Sequence, residues 1–421
     1  MAILANGLQA EPRRSSTPIG LYEPCPTSYQ ASIIRTLEEF SSLARPWNDF
    51  LNVCGENSIT LRHEWLNLYL QMFPPHELLI IVVRDTQNHL VAVAPFQIAR
   101  NPSGLLCRML RRLQFIGTSP EVYDSMKLVI HPNADKTYAS RLIGDLLIQN
   151  RSRWDVADLR YLDSEEQVNF LNDHLKTCLK QAQITQPMSI PYIELPDDWD
   201  EYRTKLRKKK YQNDLKRVQN HIRQDFKPPG AQLIVHHPNE ESARNLEKFL
   251  NFHKDYWMTR RSRTEYHRHP KLLEFYRTIH QQFSESHASN KPVFEFSSLV
   301  FEDRPVSYHF DIQTQIGCMG YLSCYNQDAR KYRPGILHIE ALIERTHQLG
   351  RRRFEFGRGD EHYKNQWHIQ KRPLWNLLAF RTTLAKLCWH GDIQLKDMYA
   401  NGQNTHGTSE HTPDPQAQTA G

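Results

Sequence analysis

Between Phe354 and Trp367 the chain reads FEFGRGDEHYKNQW, and Asp360, Glu361, His362, Tyr363 and Lys364 bring acid, imidazole, phenol and amine groups into one short run. Such a cluster at the end of a strand can supply an acid, a base and an oxyanion stabiliser together. Phe354 and Phe356 alternate with charged neighbours, as in a half-buried strand, and Gly357 and Gly359 around Arg358 end it in a tight turn. The same residues also fit a polar helix start with Asp360 as its N-cap.

A second candidate lies just upstream. The loop Asn326–Pro334 holds Arg330, Lys331 and Arg333, and the pattern predicts a helix from Gly335 to Leu349. Pro334 falls near its first turn, a favoured place for proline. Free N–H groups and the partial positive charge of a helix start would face these cations, and Gly335 would let a ligand approach the backbone. Arg330, Lys331, Arg333, Gly335, Ile336 and Leu337 therefore make a candidate site for a pyrophosphate or other anion. An ordinary solvated loop before a Pro-Gly helix start is the competing reading.

These residues need a frame to hold them. A chain of 421 residues with 24% charged and 39% hydrophobic residues can bury a large core and implies two to three domains. The longest purely apolar stretch is Leu78–Val83, too short for a membrane helix. Cysteines 25, 54, 107, 178, 318, 324 and 388 are scattered and form no C-x-x-C. They suit free thiols in a reducing compartment, and a cytoplasmic location is expected. Cys318 and Cys324, an even number of residues apart, are expected to pack on one strand face.

Apolar periodicity predicts helices at Ser32–Phe40, Arg62–Met72, Tyr138–Asn150 and Glu165–Gln181, with strands at Leu78–Arg84, Leu90–Ala99, Arg112–Ile116, Ser125–Ile130, Val156–Leu162 and Tyr192–Leu195. The second half predicts helices at Trp199–Gln224, Glu241–Thr259 and Pro270–Ser284. Strands follow at Gln232–His236, Val293–Phe301, Pro305–Gln313, Gly317–Tyr325, Arg353–Gly357 and Leu374–Arg381. A strand, polar loop, amphipathic helix, charged turn and strand recur at an offset of roughly 195 residues, which suggests duplication. The expected fold class is α/β with mixed sheets, in two similar domains packed together at 29–196 and 197–400. Disordered segments are expected at 1–28 and 401–421.

The run KYRPGILHIEALIERTHQLGRRRFEFGRGDEHYKNQW resembles the GNAT-type acyltransferases of the CelD-like group, kin to the FemAB-like aminoacyltransferases of peptidoglycan bridges. The similarity in pattern extends over most of residues 45–385, including an earlier basic helix and a Trp257–Arg261 element. The resemblance implies tandem GNAT-like domains with the acyl donor bound by the second. It also places Tyr363 and Lys364 at a Tyr-Lys or Phe-Lys motif near the acyl-transfer centre. Against the acetyl-CoA loop pattern Arg/Gln-x-x-Gly-x-Gly/Ala, Arg330 and Gly335 match the ends and Arg333 replaces the middle Gly.

Transfer of an acyl group to an amine requires loss of a proton from the amine, a stabilised oxyanion and a proton for the leaving group. Lys364 suits the oxyanion or a substrate carboxylate, and Tyr363 the leaving group. The base is sought at His309 and Asp311, then at Glu361, although a buried structural role is the stronger reading of His309 and the Asp-Glu pair also fits a helix cap. Trp257, Arg260 and Arg358 are candidate acceptor-binding residues; a core tryptophan with a basic helix end competes for the first two.

Net charge is +6, and Asp200–Lys227 carries all of that excess. The basic helix at 203–224 is read as a solvated face, a surface for an acidic polymer or lipid carrier, or a nucleic-acid surface. Few aromatic residues interrupt it, which argues against base stacking. His236-His237 and His267-Arg268-His269 lack the spacing of a metal site, so no metal is expected. The function expected is an N-acyltransferase using acetyl-CoA or another acyl-CoA on an amine or hydroxyl of a sugar, polysaccharide precursor or amino-acid derivative. Aminoacyl transfer from tRNA to a cell-wall peptide, and a non-catalytic scaffold in polysaccharide synthesis, are the rivals.

Overall fold

The computed structural model describes residues 28–100, 109–123, 125–179, 181–236, 240–259, 271–283 and 293–391, without the side chains of 240–242 and 255–259. The end segments expected to be disordered lie outside these residues but for Ser28, as do His237 and 267–269.

The strands are β1 Gln30–Ile34, β2 Glu77–Arg84, β3 Leu90–Arg100, β4 Arg111–Phe115, β5 Val129–Ile130, β6 Val156–Leu162 and β7 Gln181–Glu194. In the second half they are β8 Ala231–His236, β9 Val293–Phe301, β10 Arg304–Gln313, β11 Gly317–Tyr325, β12 Arg353–Glu355 and β13 Gln370–Phe380. Among the described residues they form one mixed sheet in the order β1-β2-β3-β4-β6-β13-β7-β12-β11-β10-β9-β8, with β5 beside β3. Each half contains a parallel pair joined by a helix: β4 with β6 through Lys136–Gln149, and β11 with β12 through Pro334–Gln348. The halves are tied by exchange, since β13 lies between β6 and β7.

Two large apolar cores flank the sheet, besides a small cluster at Val156, Phe380 and Ala385. One runs from the first half beneath helices Glu240–Thr259 and Lys271–Phe283. Trp65 seals it at the seam, edge-on to Phe275, Phe294 and Tyr321 at ring separations of 5.2, 5.8 and 6.0 Å. The other lies under helices Lys209–Asp225 and Pro334–Gln348 and holds Phe354, Phe356 and Trp367.

Several expectations are corrected. Residues 30–34 are an edge strand on β2, and the helix starts only at Leu37, where Thr36 and Glu39 form a capping box. A helix at Ala44–Val53 escaped the periodicity reading. The Ser125–Ile130 strand shrinks to two residues. Residues 181–194 form one long strand because Gln181–Met188 pair with β13 alone; that open edge tolerates polar residues and Pro187. The expected helix Trp199–Gln224 breaks at Arg207, which is extended and bridges to Trp367. Cys318 and Cys324 pack in different cores, because a bulge at Tyr321 reverses the alternation between them.

Candidate active site

β11 and β12 pair for three rungs only, Gly317–Arg353, Cys318–Phe354 and Met319–Glu355. β11 then runs on to Tyr325 while the chain leaves β12, so the strands fork. The bulge sits at the fork: Asp311 faces Gly320 and Phe310 faces Leu322, which leaves Tyr321 unmatched. A cavity of about 240 Å³ lies there, lined by His309, Arg358, Glu361, Tyr363 and Lys364 among others. Five of the residues singled out in the sequence thus share one cavity, four of them from the turn at 358–364 and His309 from the distant strand β10. Asp311 stands directly behind, with Oδ1 2.8 Å from His309 Nδ1. Burial raises its carboxyl pKa, and the neighbouring His309 works against that rise.

Gly320, Tyr321, Ser323 and His253, which the sequence did not reveal, also line the cavity. A Cβ on Gly320 would stand 3.3 Å from His309 Cε1, so glycine leaves the imidazole its place. Burial drives the His253 pKa down to about 3, which keeps that ring neutral. The Tyr321 hydroxyl donates to the Val122 carbonyl at 2.8 Å, so the bulge is fastened to the first half.

The turn after β12 is close-fitting. Gly357 and Gly359 have φ of 72° and 111°, and a Cβ on Gly357 would lie 2.6 Å from the Gly320 carbonyl oxygen. Lys364, only 2% exposed, donates to the carbonyls of Gly357, Arg358 and Gly359 at 3.0, 3.3 and 3.0 Å and pairs with Glu361 at 2.8 Å. Here the ammonium shapes the turn; contact with an oxyanion requires exchange of one of these bonds. Burial, aided by Glu361, pushes the Tyr363 phenol well above its usual range, so it keeps its proton. Arg358 reaches across the seam to Glu121, the Tyr123 carbonyl and the face of Tyr161, 3.9 Å from the ring centre.

The anion-loop candidates lie where the 3₁₀ turn Gln327–Tyr332 meets helix Pro334–Gln348. Arg333, standing where the loop pattern has glycine, has φ 49° and ψ 52°, the left-handed conformation glycine favours. Its guanidinium is anchored by Gln366 at 2.7 Å and Asp214 at 3.4 Å. Lys331 pairs with Asp225 at 3.0 Å, and Arg330 is exposed. The Ile336 and Leu337 N–H groups both return to the Arg333 carbonyl, and the Leu337 side chain is buried. Gly335 sits over Tyr325, whose ring a Cβ would meet at 3.3 Å. Arg217 and His221 of helix Lys209–Asp225 join Lys331 and Arg333 around a cavity of about 460 Å³, with Asp225 its one acid. The basic helix and the cationic loop, separate in the sequence, share this hollow.

Trp257 lies in helix Glu240–Thr259 with its side chain outside the described set, and Arg260 is outside the described residues. Among those residues no three His, Cys, Asp or Glu side chains gather as metal ligands, and no helix is long and apolar enough to cross a membrane.

Residues 209–365 match the profile of the acetyltransferase (GNAT) domain. No curated protein sequence matches the chain. Among solved structures, FemX is similar over 85% of this chain and 99% of its own, at 9% identity and a TM-score of 0.52. L-PGS from Bacillus licheniformis follows at 11% identity over 84% and 96% with a TM-score of 0.47. A tandem GNAT protein from the clavulanic acid biosynthesis pathway shows 10% identity over 83% and 98% with a TM-score of 0.45. At such identities FemX shares the fold alone. The forked parallel pair and the matched profile agree: the chain has a tandem GNAT-like fold, and its residues 209–365 match the acetyltransferase (GNAT) domain.

Proposed function

We propose that the protein transfers an acyl group from acyl-CoA to an amine, less readily a hydroxyl, of a sugar, polysaccharide precursor or amino-acid derivative, and that the reaction takes place in the cavity at the β11–β12 fork. The observation that carries this is the convergence there of a carboxyl-oriented imidazole and a buried, protonated phenol. With Asp311 holding the Nδ1 proton, Nε2 of His309 is free to accept a proton from the attacking amine. As the C–N bond forms and the C–S bond breaks, Tyr363 gives its proton to the departing sulfur. Solvent returns the proton from His309 to Tyr363. Lys364 acts as a positioning residue that fixes the turn carrying Arg358 and Glu361.

The cationic hollow of Arg217, His221, Lys331 and Arg333 fits the phosphates of such a donor. Gln366, which holds Arg333, belongs to the same 3₁₀ turn as Tyr363 and Lys364, and so links that hollow to the fork. The division into units at 29–196 and 197–400, with β13 as the exchanged strand, is part of this proposal.

One observation favours charged tRNA as donor instead. Lys208, Lys209 and Lys210 are exposed at the start of the helix whose later turns line the hollow, and they form no ion pair among the described residues. Calorimetric titration with acetyl-CoA, longer acyl-CoAs and free CoA separates the two. Binding that weakens in Arg333→Ala supports the CoA donor. No CoA species binding to folded protein removes it and turns the assay to charged tRNA.

A further inference from the structure

A larger cleft, of about 500 Å³, opens on the opposite face of the same strand pair. Cys318, Phe354 and Phe356 point into the core under helix Pro334–Gln348, so by alternation Met319, Arg353 and Glu355 point the other way and line this cleft. Its far wall comes from the first half of the chain. Across the seam runs a ladder of alternating charge. Lys127 lies 2.7 Å from Glu56 and 3.5 Å from Asp163, and Arg372 lies 3.2 Å from both Asp163 and Glu355. Arg353 is the last charge that lines the cleft, 3.7 Å from Glu355, and Glu194 holds it from outside at 2.8 Å.

The charges that line the cleft sum to zero, and its acids are only 11, 13 and 15% exposed at Glu56, Asp163 and Glu355. A ligand with a single net charge would therefore meet repulsion from one rung wherever it met attraction from the next. A molecule carrying one ammonium and one carboxylate matches adjacent rungs with both ends, and the Ser58 and Thr60 hydroxyls, 2.9 Å from each other, line the wall beside them. Position gives this cleft a purpose. Met319–Glu355 is the last paired rung before the fork, and the next residue on each strand, Gly320 and Phe356, lines the cavity with His309.

We propose that this cleft is the acceptor site and that the acceptor is a zwitterion of amino-acid or short-peptide type, seated against the last paired rung before the fork. The assignment as acceptor rests on the acyltransferase reading; the occupancy of the cleft does not.

The test is titration of the full-length protein, without any acyl donor, with trialanine, N-acetyl-trialanine and trialanine amide. Trialanine should bind, and each blocked end should weaken it about tenfold or more, as loss of one charged contact does. Arg372→Gln and Glu355→Gln should weaken trialanine similarly, while Asp311→Asn should leave it unchanged. Should the charge variants unfold, Ser58→Phe, which fills the cleft without removing a charge, should abolish binding. Equal binding of free and blocked peptides, or no binding of trialanine, overturns the proposal. If acyl-CoA still binds in that case, the acyltransferase reading stands and the acceptor class falls alone.

Discussion

Asp311 Oδ1 accepts from Nδ1 of His309 at 2.8 Å, two residues away on the same face of β10, and the carboxyl has no exposure to solvent. That contact decides which imidazole nitrogen faces the cavity as a base. Asp311→Asn keeps the shape but offers an N–H in place of the acceptor, so His309 must present its other tautomer. Turnover, followed as thiol release from acyl-CoA, should fall by about 10²–10⁴-fold with little change in KM. His309→Gln should fall as far, and the double variant hardly further, because the pair acts as one unit. Additive losses would assign the two residues separate roles.

Lys364 holds three carbonyls of a turn whose two glycines have positive φ. Removing the ammonium leaves buried acceptors without a donor. Lys364→Met should cost on the order of 3 kcal/mol of stability in urea unfolding, on top of any loss of activity. A variant of unchanged stability but lost turnover would return Lys364 to direct contact with the reacting group.

Arg333 carries two opposed effects that substitution can separate. Its left-handed backbone is strained for any residue with a Cβ, while its side chain ties Asp214 and Gln366 together. Arg333→Ala and Arg333→Gly lose the same ties, yet only alanine keeps the strain. The glycine variant should therefore be the more stable of the two by about 1 kcal/mol. Both should bind acyl-CoA more weakly than the parent, with a shallower dependence on salt, since one cation has left the hollow. Equal stability of the two variants would mean that the loop relaxes out of the left-handed region.

Much of the second half was legible because its elements are amphipathic along their own length. β9, β10, β11 and the helix at Pro334–Gln348 fall where alternation and the Pro-Gly start put them. The run at 361–364 was legible because its members are neighbours in the chain. What joins them to His309, or Arg358 to Glu121, is contact between residues remote in sequence, which no local spacing encodes. The bulge at Tyr321 was hidden for a related reason, since an extra residue in a strand shows only against its partner. β7 reads as polar because half of it is an open edge. The charge ladder across the seam draws on five segments and has no sequence signature at all.

Glu340 is buried beneath the basic helix and accepts from Tyr211 at 2.7 Å, Tyr202 at 3.2 Å and Trp367 at 3.0 Å, and it pairs with Arg207. Four donors from three segments thus share one carboxylate, which fixes the break at Arg207 and the seat of the helix that follows. Glu340→Ala should cost about 3–5 kcal/mol, because Arg207 is left buried without its counter-charge. Glu340→Gln keeps an acceptor oxygen and should cost less. The comparison needs only urea unfolding, and a near-neutral Glu340→Ala would show that the cluster is not what seats the helix.

Acid should act on this fold through its buried histidines. His63, His253, His280 and His338 are all buried, and desolvation holds each pKa below the ordinary histidine value of 6.5. In the unfolded chain they take up protons near that value, whereas in the folded chain they resist. The unfolded state therefore binds more protons below pH 6.5, and stability falls as pH falls through it, by about 1.4 kcal/mol per pH unit for each histidine kept fully neutral. For His253 the loss should continue down to about pH 3. His338, held between the Ser297 and Ser307 hydroxyls at 3.0 and 3.1 Å, is the one to replace. His338→Asn should make the pH dependence of the urea midpoint between pH 7.5 and 5.5 shallower, by close to one proton's worth. A parent protein equally stable at both pH values would mean that these rings reach solvent and protonate in the folded state.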